Sequence, residues 1–243
     1  MFTLYIKEIK SFFNSVIGYV IIGTFLIISG LFLWVFESGD NVFANGTADI
    51  QGFFNLAPYI FLFIIPALTM RSFSEEKKAG TMELLFTKPI SDVLIIGAKF
   101  LACETLLLLA ILSTLIYVVT VWNLGSTPGN IDLGSTLGSY LGLFLLGTIF
   151  CCIGIFASSL TSSQIVAFIL GALFCFLLYV GFELIYSIDS FGTFGAAIKK
   201  WGIADHYFSI SKGVIDTRDL VYYITTSFLF LFGTWLVLLK RKW

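Results

Sequence analysis

Charged residues are scarce in this chain, and their scarcity excludes most classes of soluble protein. Only 12% of the 243 residues are charged and 58% are hydrophobic, with a mean hydropathy of +0.98. Soluble domains carry about twice that share of charged residues. The net charge of -1 also offers no basic surface to nucleic acid. We therefore expect an integral membrane protein in contact with lipid, with no nucleic-acid partner.

Side chains that commonly perform chemistry are also rare. The sequence has one histidine, His206, and no Gly-Lys pair, so the phosphate-binding pattern G-x-x-x-x-G-K-[ST] is absent. We expect no catalytic residue, metal site or cofactor on this chain. A packed or interfacial role is expected for His206, rather than metal binding or pH sensing. Four cysteines lie inside apolar runs and are expected to pack rather than to form disulfides; they are Cys103, Cys151, Cys152 and Cys175.

Long apolar runs are abundant. A helix needs roughly 20 apolar residues to cross a bilayer, and continuous rather than alternating runs favour helices over a β-barrel. The six predicted spans are Val16–Phe36, Phe53–Met70, Leu101–Val121, Leu137–Ala157, Ile165–Tyr186 and Leu220–Leu239. The predicted fold class is an all-α polytopic membrane protein with a single transmembrane domain. Its second helix is expected to kink at Pro58 and Pro66.

The distribution of Lys and Arg predicts the orientation of these spans. Basic residues are absent from the connections 37–52 and 122–136, but occur in the N-terminal segment, the 71–100 connection and the C-terminus. The positive-inside rule then places both termini and the 71–100 connection in the cytoplasm. The 187–219 connection carries four basic residues and falls outside by parity, against ten inside. The predicted topology follows the side with the larger number of basic residues, which is the cytoplasmic side of the two termini and the 71–100 connection.

A short amphipathic helix is predicted before the first span, within residues 1–15. Apolar residues recur near helical spacing from Phe2 to Val16, with Lys7, Glu8 and Lys10 among them. This pattern is typical of a helix on the inner membrane surface; a frayed start of the first span is the alternative. The apolar run is too long for a cleavable signal peptide, and no small-residue cleavage site follows it.

A polar island, Arg71–Ser91, separates the second and third spans, and its acidic and basic residues nearly balance. A segment that binds anionic lipid would be strongly basic, whereas a neutral mosaic with an apolar stripe favours docking to a protein. The connection of about 30 residues is generous for joining two adjacent spans. An ordinary solvated loop with one membrane-facing turn is the alternative.

Breaks within the polar island predict two short helices. Ser74–Ala79 is the first, and Gly80 suits the left-handed turn that ends it. Thr81 can cap the second helix, Pro89 stops it, and Ser91 can cap the helix that enters the membrane. The apolar face of the second helix consists of Met82, Leu85 and Phe86.

Three further patterns concern packing and charge. Gly134, Gly138 and Gly142 recur every four residues and predict close helix approach, within the chain or between two copies. Lys99 and Glu104 are expected at the inner end of the third span, loosely paired and away from the midplane that an ion relay needs. The 187–219 connection is predicted to form short amphipathic helices at the outer interface. Their apolar face would carry Phe191, Phe194, Ile198 and Trp201.

The polar island also carries a family resemblance. It reads R-S-F-x-E-E-x-x-x-G-T-x-E-L-L-x-T-x-P-I-S and resembles the signature after the second span of ABC-2 type transporter permeases. Tyr5–Val20 and His206–Tyr223 agree as well, so the resemblance covers nearly the whole chain. Within the family, the sequence is similar to gliding-motility-associated permeases of Bacteroidetes and to the related permease of nitrous-oxide reductase maturation.

The resemblance implies a permease subunit in a bacterial inner membrane. ATP and Mg²⁺ would bind a separate ABC ATPase subunit, and the permease would pair with a second copy or with a homologous or auxiliary permease. Residues 71–92 would be the coupling region, which docks in a groove of the ATPase, and Ser158–Gln164 would add a minor contact. The implied interface residues are Glu75, Glu76, Gly80, Thr81, Met82, Glu83, Leu84, Leu85, Phe86 and Pro89.

Three functional hypotheses remain open. The first is the permease of an ATP-driven ABC-2 transporter, which performs export or mechanical work linked to gliding motility. The second is an ion-coupled secondary transporter, which needs buried midplane charges and usually internal repeats. The third is a membrane anchor or assembly scaffold that transports nothing. The transported substrate does not follow from any of these patterns.

Overall fold

Every regular element that the structure describes is a helix. The computed structural model describes residues 1–46, 48–82, 90–125, 131–187, 200–214 and 216–240. The helix Gln164–Phe176 continues through a π-helical turn, Leu177–Gly181, into the helix Phe182–Tyr186. The helices are α1 (Phe2–Asn14), α2 (Val16–Trp34), α3 (Val42–Asn45), α4 (Gln51–Thr69), α5 (Arg71–Lys78), α6 (Asp92–Ser113), α7 (Leu115–Leu124), α8 (Leu133–Leu160), α9 (Gln164–Phe176), α10 (Phe182–Tyr186), α11 (Ile203–Ser211) and α12 (Thr217–Leu239).

Six helical stretches are long and apolar enough to cross a membrane. They are Val16–Trp34, Gln51–Lys78, Asp92–Leu124, Leu133–Leu160, Gln164–Tyr186 and Thr217–Leu239. The predicted fold class, an all-α polytopic membrane protein, is therefore confirmed. Two helical stretches extend beyond the predicted spans: the second continues past Met70, and the third begins at Asp92, directly after the predicted cap residue Ser91. Helix α6, the first helix after the polar island, is therefore longer than the apolar run that it contains.

Helix α8 forms the centre of the bundle. It contacts α4, α5, α6, α9, α11 and α12, and side chains such as Phe150 and Ile153 are fully buried. Glycines allow its neighbours to approach closely: a Cβ on Gly154 would lie 1.9 Å from Thr69 Oγ1 of α4. Helix α12, by contrast, buries few of its apolar side chains. This gradient from α8 outwards is expected when lipid replaces water around a bundle.

The N-terminal segment is a helix of its own. Ser15 separates α1 from α2 with an extended backbone (φ -102°, ψ 146°), so the alternative of a frayed first span was wrong. Helix α1 packs against α6, where the Tyr5 hydroxyl lies 2.9 Å from Thr105 Oγ1. Phe2, whose ring stacks on that of Tyr5, is 70% exposed. The position of α1 at the membrane surface stays a prediction.

Two glycines of the predicted stripe face a helix of the same chain. A Cβ on Gly138 would lie 2.9 Å from the Ile210 carbonyl oxygen and from Gly213 Cα, and one on Gly142 would lie 3.3 Å from Ile210 Cγ2. A Cβ on Gly134 would meet only its own neighbour Asp132, at 3.3 Å. Within the described residues, the contact partner of this stripe is therefore α11 and the turn after it.

We expect Gly138→Ala to lower the free energy of unfolding by about 1–2 kcal/mol, because the added methyl group meets backbone atoms that cannot rotate away. Gly134→Ala is the matched control, since its methyl group meets only one side-chain oxygen. The two variants should be compared by thermal unfolding in the same detergent. Equal melting temperatures would contradict the close contact between α8 and α11.

The described part of the 187–219 connection packs onto the bundle through α11. The Tyr207 hydroxyl donates to the Phe54 carbonyl oxygen at 2.7 Å, and burial raises the pKa of Tyr207 well above its usual value. Trp201, just before α11, is 72% exposed. The other residues predicted on the apolar face lie outside the described part; they are Phe191, Phe194 and Ile198.

His206 and the cysteines occupy packed positions. The His206 ring stacks on Tyr222 with centroids 3.9 Å apart, and its Nδ1 lies 2.7 Å from Asp219 Oδ1. All four cysteines are free and buried. Among the described residues, no group of three or more His, Cys, Asp or Glu side chains has the arrangement of a metal site.

Candidate functional site, a charged pocket at the end of the second span

The polar island begins as a direct continuation of the second span. Helix α4 ends at Thr69 and α5 begins at Arg71, and Met70 between them keeps a helical backbone (φ -54°, ψ -29°). The first predicted helix of the island, at 74–79, therefore starts earlier than predicted. A force applied to α5 acts on the second span without an intervening loop.

The end of α5 follows the prediction more closely. Gly80 has a φ of +67°, the left-handed conformation that glycine adopts most readily. The second predicted helix, Met82–Thr87, has only Met82 within the described part of the chain, which leaves out residues 83–89. Ser91 occupies the residue before α6, as predicted, although its side chain makes no capping hydrogen bond.

A buried lysine joins three helices behind α5. Lys99 of α6 is 2% exposed, and its Nζ lies 3.2 Å from Glu8 Oε1 of α1 and 3.0 Å from Glu76 Oε1 of α5. The same Nζ lies 5.1 Å from the centroid of the Phe73 ring. A buried ammonium needs nearby carboxylates of this kind, because its desolvation costs several kcal/mol. Lys99 therefore fixes α1 and α5 against α6.

Two weaker ion pairs lie at the edge of this cluster. Lys7 Nζ is 3.9 Å from Glu76 Oε1, and the Lys7 side chain is 65% exposed. Arg71 Nε is 3.5 Å from Glu75 Oε2, four residues along the same helix. Exposed pairs of this kind contribute about 1 kcal/mol at most. These two pairs affect the charge of the surface around the cluster more than they affect the stability of the fold.

Helix α8 holds the other side of α5. Ser158 Oγ accepts hydrogen bonds from the backbone N–H groups of Phe73 (3.0 Å) and Ser74 (3.1 Å), and it donates to the Met70 carbonyl oxygen at 2.9 Å. Lys77 also donates to the Ser159 carbonyl oxygen. Since the first N–H groups of a helix lack partners within it, Ser158 caps α5 from another helix.

Between these contacts lies the charged pocket, a cavity of about 260 Å³. One oxygen of Glu76, Oε2, is buried there without a hydrogen-bond partner. The polar atoms around the cavity are of both signs, which suits a charged protein segment better than one small anion. The lining residues are Lys7, Glu8, Ser11, Phe12, Arg71, Ser72, Glu75, Glu76, Ala79, Thr81 and Lys99.

The structure separates the predicted interface residues into two groups. Glu75, Gly80 and Thr81 are exposed, whereas Glu76 turns inward to Lys99 and Met82 is 5% exposed. The remaining predicted residues lie outside the described part; they are Glu83, Leu84, Leu85, Phe86 and Pro89. In the predicted second contact, Ser158–Gln164, the Ser158 hydroxyl faces α5 rather than solvent.

The sequence interpretation missed the pairing of Lys99. We expected a loose pair with Glu104, but Lys99 binds Glu8 and Glu76 instead, and Glu104 accepts a hydrogen bond from Thr148. The sequence contained a useful signal, because a lysine within an apolar run needs a partner. Glu8 was a candidate partner, since it lies on a predicted amphipathic helix that has to pack against another element.

Comparison with known proteins identifies the family. The model of the ABC-2 family transporter proteins matches residues 5–201, a range that contains most of α1, the charged pocket and five of the six membrane-crossing stretches. No curated protein matches the chain. Because the match covers well over half of the residues and agrees with the six-helix fold, the chain belongs to the ABC-2 family transporter proteins.

Proposed function

We propose that this protein is the membrane-spanning permease subunit of an ATP-driven ABC-2 transporter, and that a separate ABC ATPase subunit docks at the exposed end of α5. The observation that carries the proposal is the attachment of α5. It continues the second span, is capped by Ser158 and is paired through Glu76 with Lys99. A partner that moves this helix moves the bundle with it.

The exposed end of α5 offers a suitable contact surface. Glu75, Lys78, Gly80 and Thr81 are all exposed, so acidic, basic and backbone polar groups lie within one turn and the residues after it. Such a mixed surface selects a partner by charge complementarity. Energy has to come from a partner, because the chain lacks the nucleotide-binding motif.

The remaining parts of the proposal rest on the family resemblance. The permease is proposed to act in a bacterial inner membrane, paired with a second copy or an auxiliary permease, and to serve gliding motility. The resemblance of the polar island to gliding-associated permeases supports the last point. Deletion of the gene should then abolish spreading on agar without affecting growth in liquid medium; unchanged spreading would exclude the motility role but not the transporter.

Co-purification tests the docking proposal. Tagged permease, extracted in mild detergent from the bacterium that encodes it, should retain a polypeptide that carries G-x-x-x-x-G-K-[ST] and hydrolyses ATP. Glu75→Arg should reduce this retention about tenfold, because a reversed charge is placed against a complementary surface. Retention is measured by quantitative mass spectrometry of the purified complex.

Glu37→Arg is the matched control, since Glu37 is equally exposed but lies in the connection after α2, on the side predicted to face outward. It should leave retention unchanged. If no ATPase accompanies the wild-type protein, or if Glu75→Arg retains as much as Glu37→Arg, docking at α5 is wrong. The ion-coupled transporter and the scaffold would then become the better hypotheses.

A further inference from the structure

A second cavity lies where α1 meets α6 and α8, and it differs sharply from the charged pocket. It has a volume of about 560 Å³ and is open on one side, where lining residues such as Phe2 and Leu108 are exposed. Its walls are mostly apolar, with Phe2, Leu101, Leu108 and Phe144 among the lining residues. Pockets of roughly 300–1,000 Å³ with apolar walls and a few polar groups are typical of small-ligand sites. We refer to it as the amphiphile cavity.

One carboxyl group, that of Glu104, lies in the wall of the amphiphile cavity. Glu104 is 9% exposed, and its Oε2 accepts a hydrogen bond from Thr148 Oγ1 at 3.1 Å. Its other oxygen, Oε1, is buried and has no hydrogen-bond partner among the described residues. The neighbouring Cys151 thiol is only a weak donor. A buried acceptor without a partner costs about 1–3 kcal/mol, so the described part of the chain satisfies Glu104 incompletely.

The two hydroxyl groups of the cavity are already occupied, and its lining also includes the N-terminal residue Met1. Thr105 Oγ1 donates to the Leu101 carbonyl oxygen at 2.6 Å, so the Tyr5 hydroxyl acts as the donor in the 2.9 Å contact between Tyr5 and Thr105. Both hydroxyl hydrogens are thus used within the chain. Glu104 is the one acidic or basic side chain among the residues that line the cavity.

Glu104 also lies deeper along its helix than expected. Helix α6 begins at Asp92, so Glu104 is twelve residues, or about 18 Å, from its start. An ionised carboxylate that far into an apolar segment is costly without a counter-charge. A ligand that brings both an apolar body and a proton-sharing group would compensate for this cost.

We propose that the amphiphile cavity binds a hydrophobic amine, with its apolar body against Leu108 and Phe144 and its amino group on the Glu104 carboxyl. An amine and a carboxyl share one proton between them, so the complex adds no net charge to the site. Oε1 is covered in the free state, and a rotation of the Glu104 side chain brings it to the amine. The proposal concerns the permease alone and does not depend on ATPase docking.

Two fluorescent probes that share one dansyl body, and of which one carries a charge that the other lacks, test the proposal. Dansylcadaverine carries a primary amine, and its N-acetyl derivative is neutral. Each is titrated into permease in phosphatidylcholine nanodiscs, with empty nanodiscs as the baseline, and the blue shift of dansyl emission is followed. The wild-type protein should bind the amine about tenfold more tightly than the acetylated probe, as expected for one charge-assisted hydrogen bond.

Glu104→Gln should remove this tenfold preference and leave the affinity for the acetylated probe unchanged. Leu108→Trp fills the cavity and should abolish saturable binding of both probes. Leu112→Trp is its control, because Leu112 is exposed one turn further along α6 and does not line the cavity. Leu108→Trp keeps the cavity testable even if Glu104→Gln folds poorly.

Each of three results would overturn the proposal. One is equal affinity of the wild-type protein for both probes, which indicates partition into lipid or an uncharged site. Another is an amine preference that survives in a folded Glu104→Gln protein, as judged by an unchanged melting temperature. Binding that persists in Leu108→Trp would likewise place the probe elsewhere.

Discussion

Replacing Lys99 with methionine should lower the free energy of unfolding by about 3–5 kcal/mol. The ammonium lies 3.2 Å from Glu8 and 3.0 Å from Glu76, and both carboxylates are largely buried. Without Lys99, two like charges face each other across the contact between α1 and α5. The measurement is reversible unfolding in mixed micelles at increasing denaturing detergent, followed by tryptophan fluorescence.

Lys7→Met is the matched control for this prediction. Lys7 approaches the same Glu76 oxygen, at 3.9 Å, but its side chain is 65% exposed, so its loss should cost about 1 kcal/mol or less. Adding Glu76→Gln to Lys99→Met should recover part of the loss by removing one of the repelling carboxylates. A Lys99→Met protein as stable as Lys7→Met would show that the cluster does not hold α5 in place.

Gly154→Ala should lower the free energy of unfolding by at least about 3 kcal/mol, at the upper end of what overpacking costs. A Cβ at Gly154 would lie 1.9 Å from Oγ1 and 2.8 Å from Cβ of Thr69, which is fully buried. The two most buried helices, α4 and α8, would have to separate. Thermal unfolding in detergent reports the loss as a lower melting temperature.

Gly23→Ala provides the comparison, because no atom lies within 4 Å of a Cβ at Gly23. That variant should be neutral or slightly stabilising, since alanine favours the helix by about 1 kcal/mol over glycine. Thr69→Ala in the Gly154→Ala background should restore part of the stability by removing the nearest atom. Equal melting temperatures for the two alanine variants would refute the close crossing of α4 and α8.

The fold was predictable from sequence because lipid imposes a simple requirement. Each apolar run of sufficient length has to satisfy its backbone polar groups internally, which forces a helix, and all six predicted spans correspond to helices. The predicted third span begins later than its helix for a physical reason. Lys99 interrupts the apolar run, but its charge is compensated by residues far away in sequence, and hydropathy along the chain does not record such contacts.

The site was predictable in position but less so in orientation. Helix breaks at Gly80 and before Ser91 follow from local backbone preferences, and the structure has them where expected. Glu75 and Glu76 were grouped as one surface, yet neighbouring residues on a helix point about 100° apart. The contact with Lys99 determines that Glu76, rather than Glu75, points inward. The Ser158 cap is equally invisible in sequence, since it joins residues about 85 positions apart.

The crossing at Gly154 has a mechanical consequence for the helix that passes over it. Gln51–Lys78 is one stretch of 28 residues, and Thr69 divides it into a short arm of about 14 Å towards Lys78 and a long arm of about 27 Å towards Gln51. If the crossing acts as a fulcrum and the helix tilts as one body, a displacement of about 2 Å at the short end becomes about 4 Å at the far end. In that case the point where Gly154 meets Thr69 sets the ratio of the two displacements at about two.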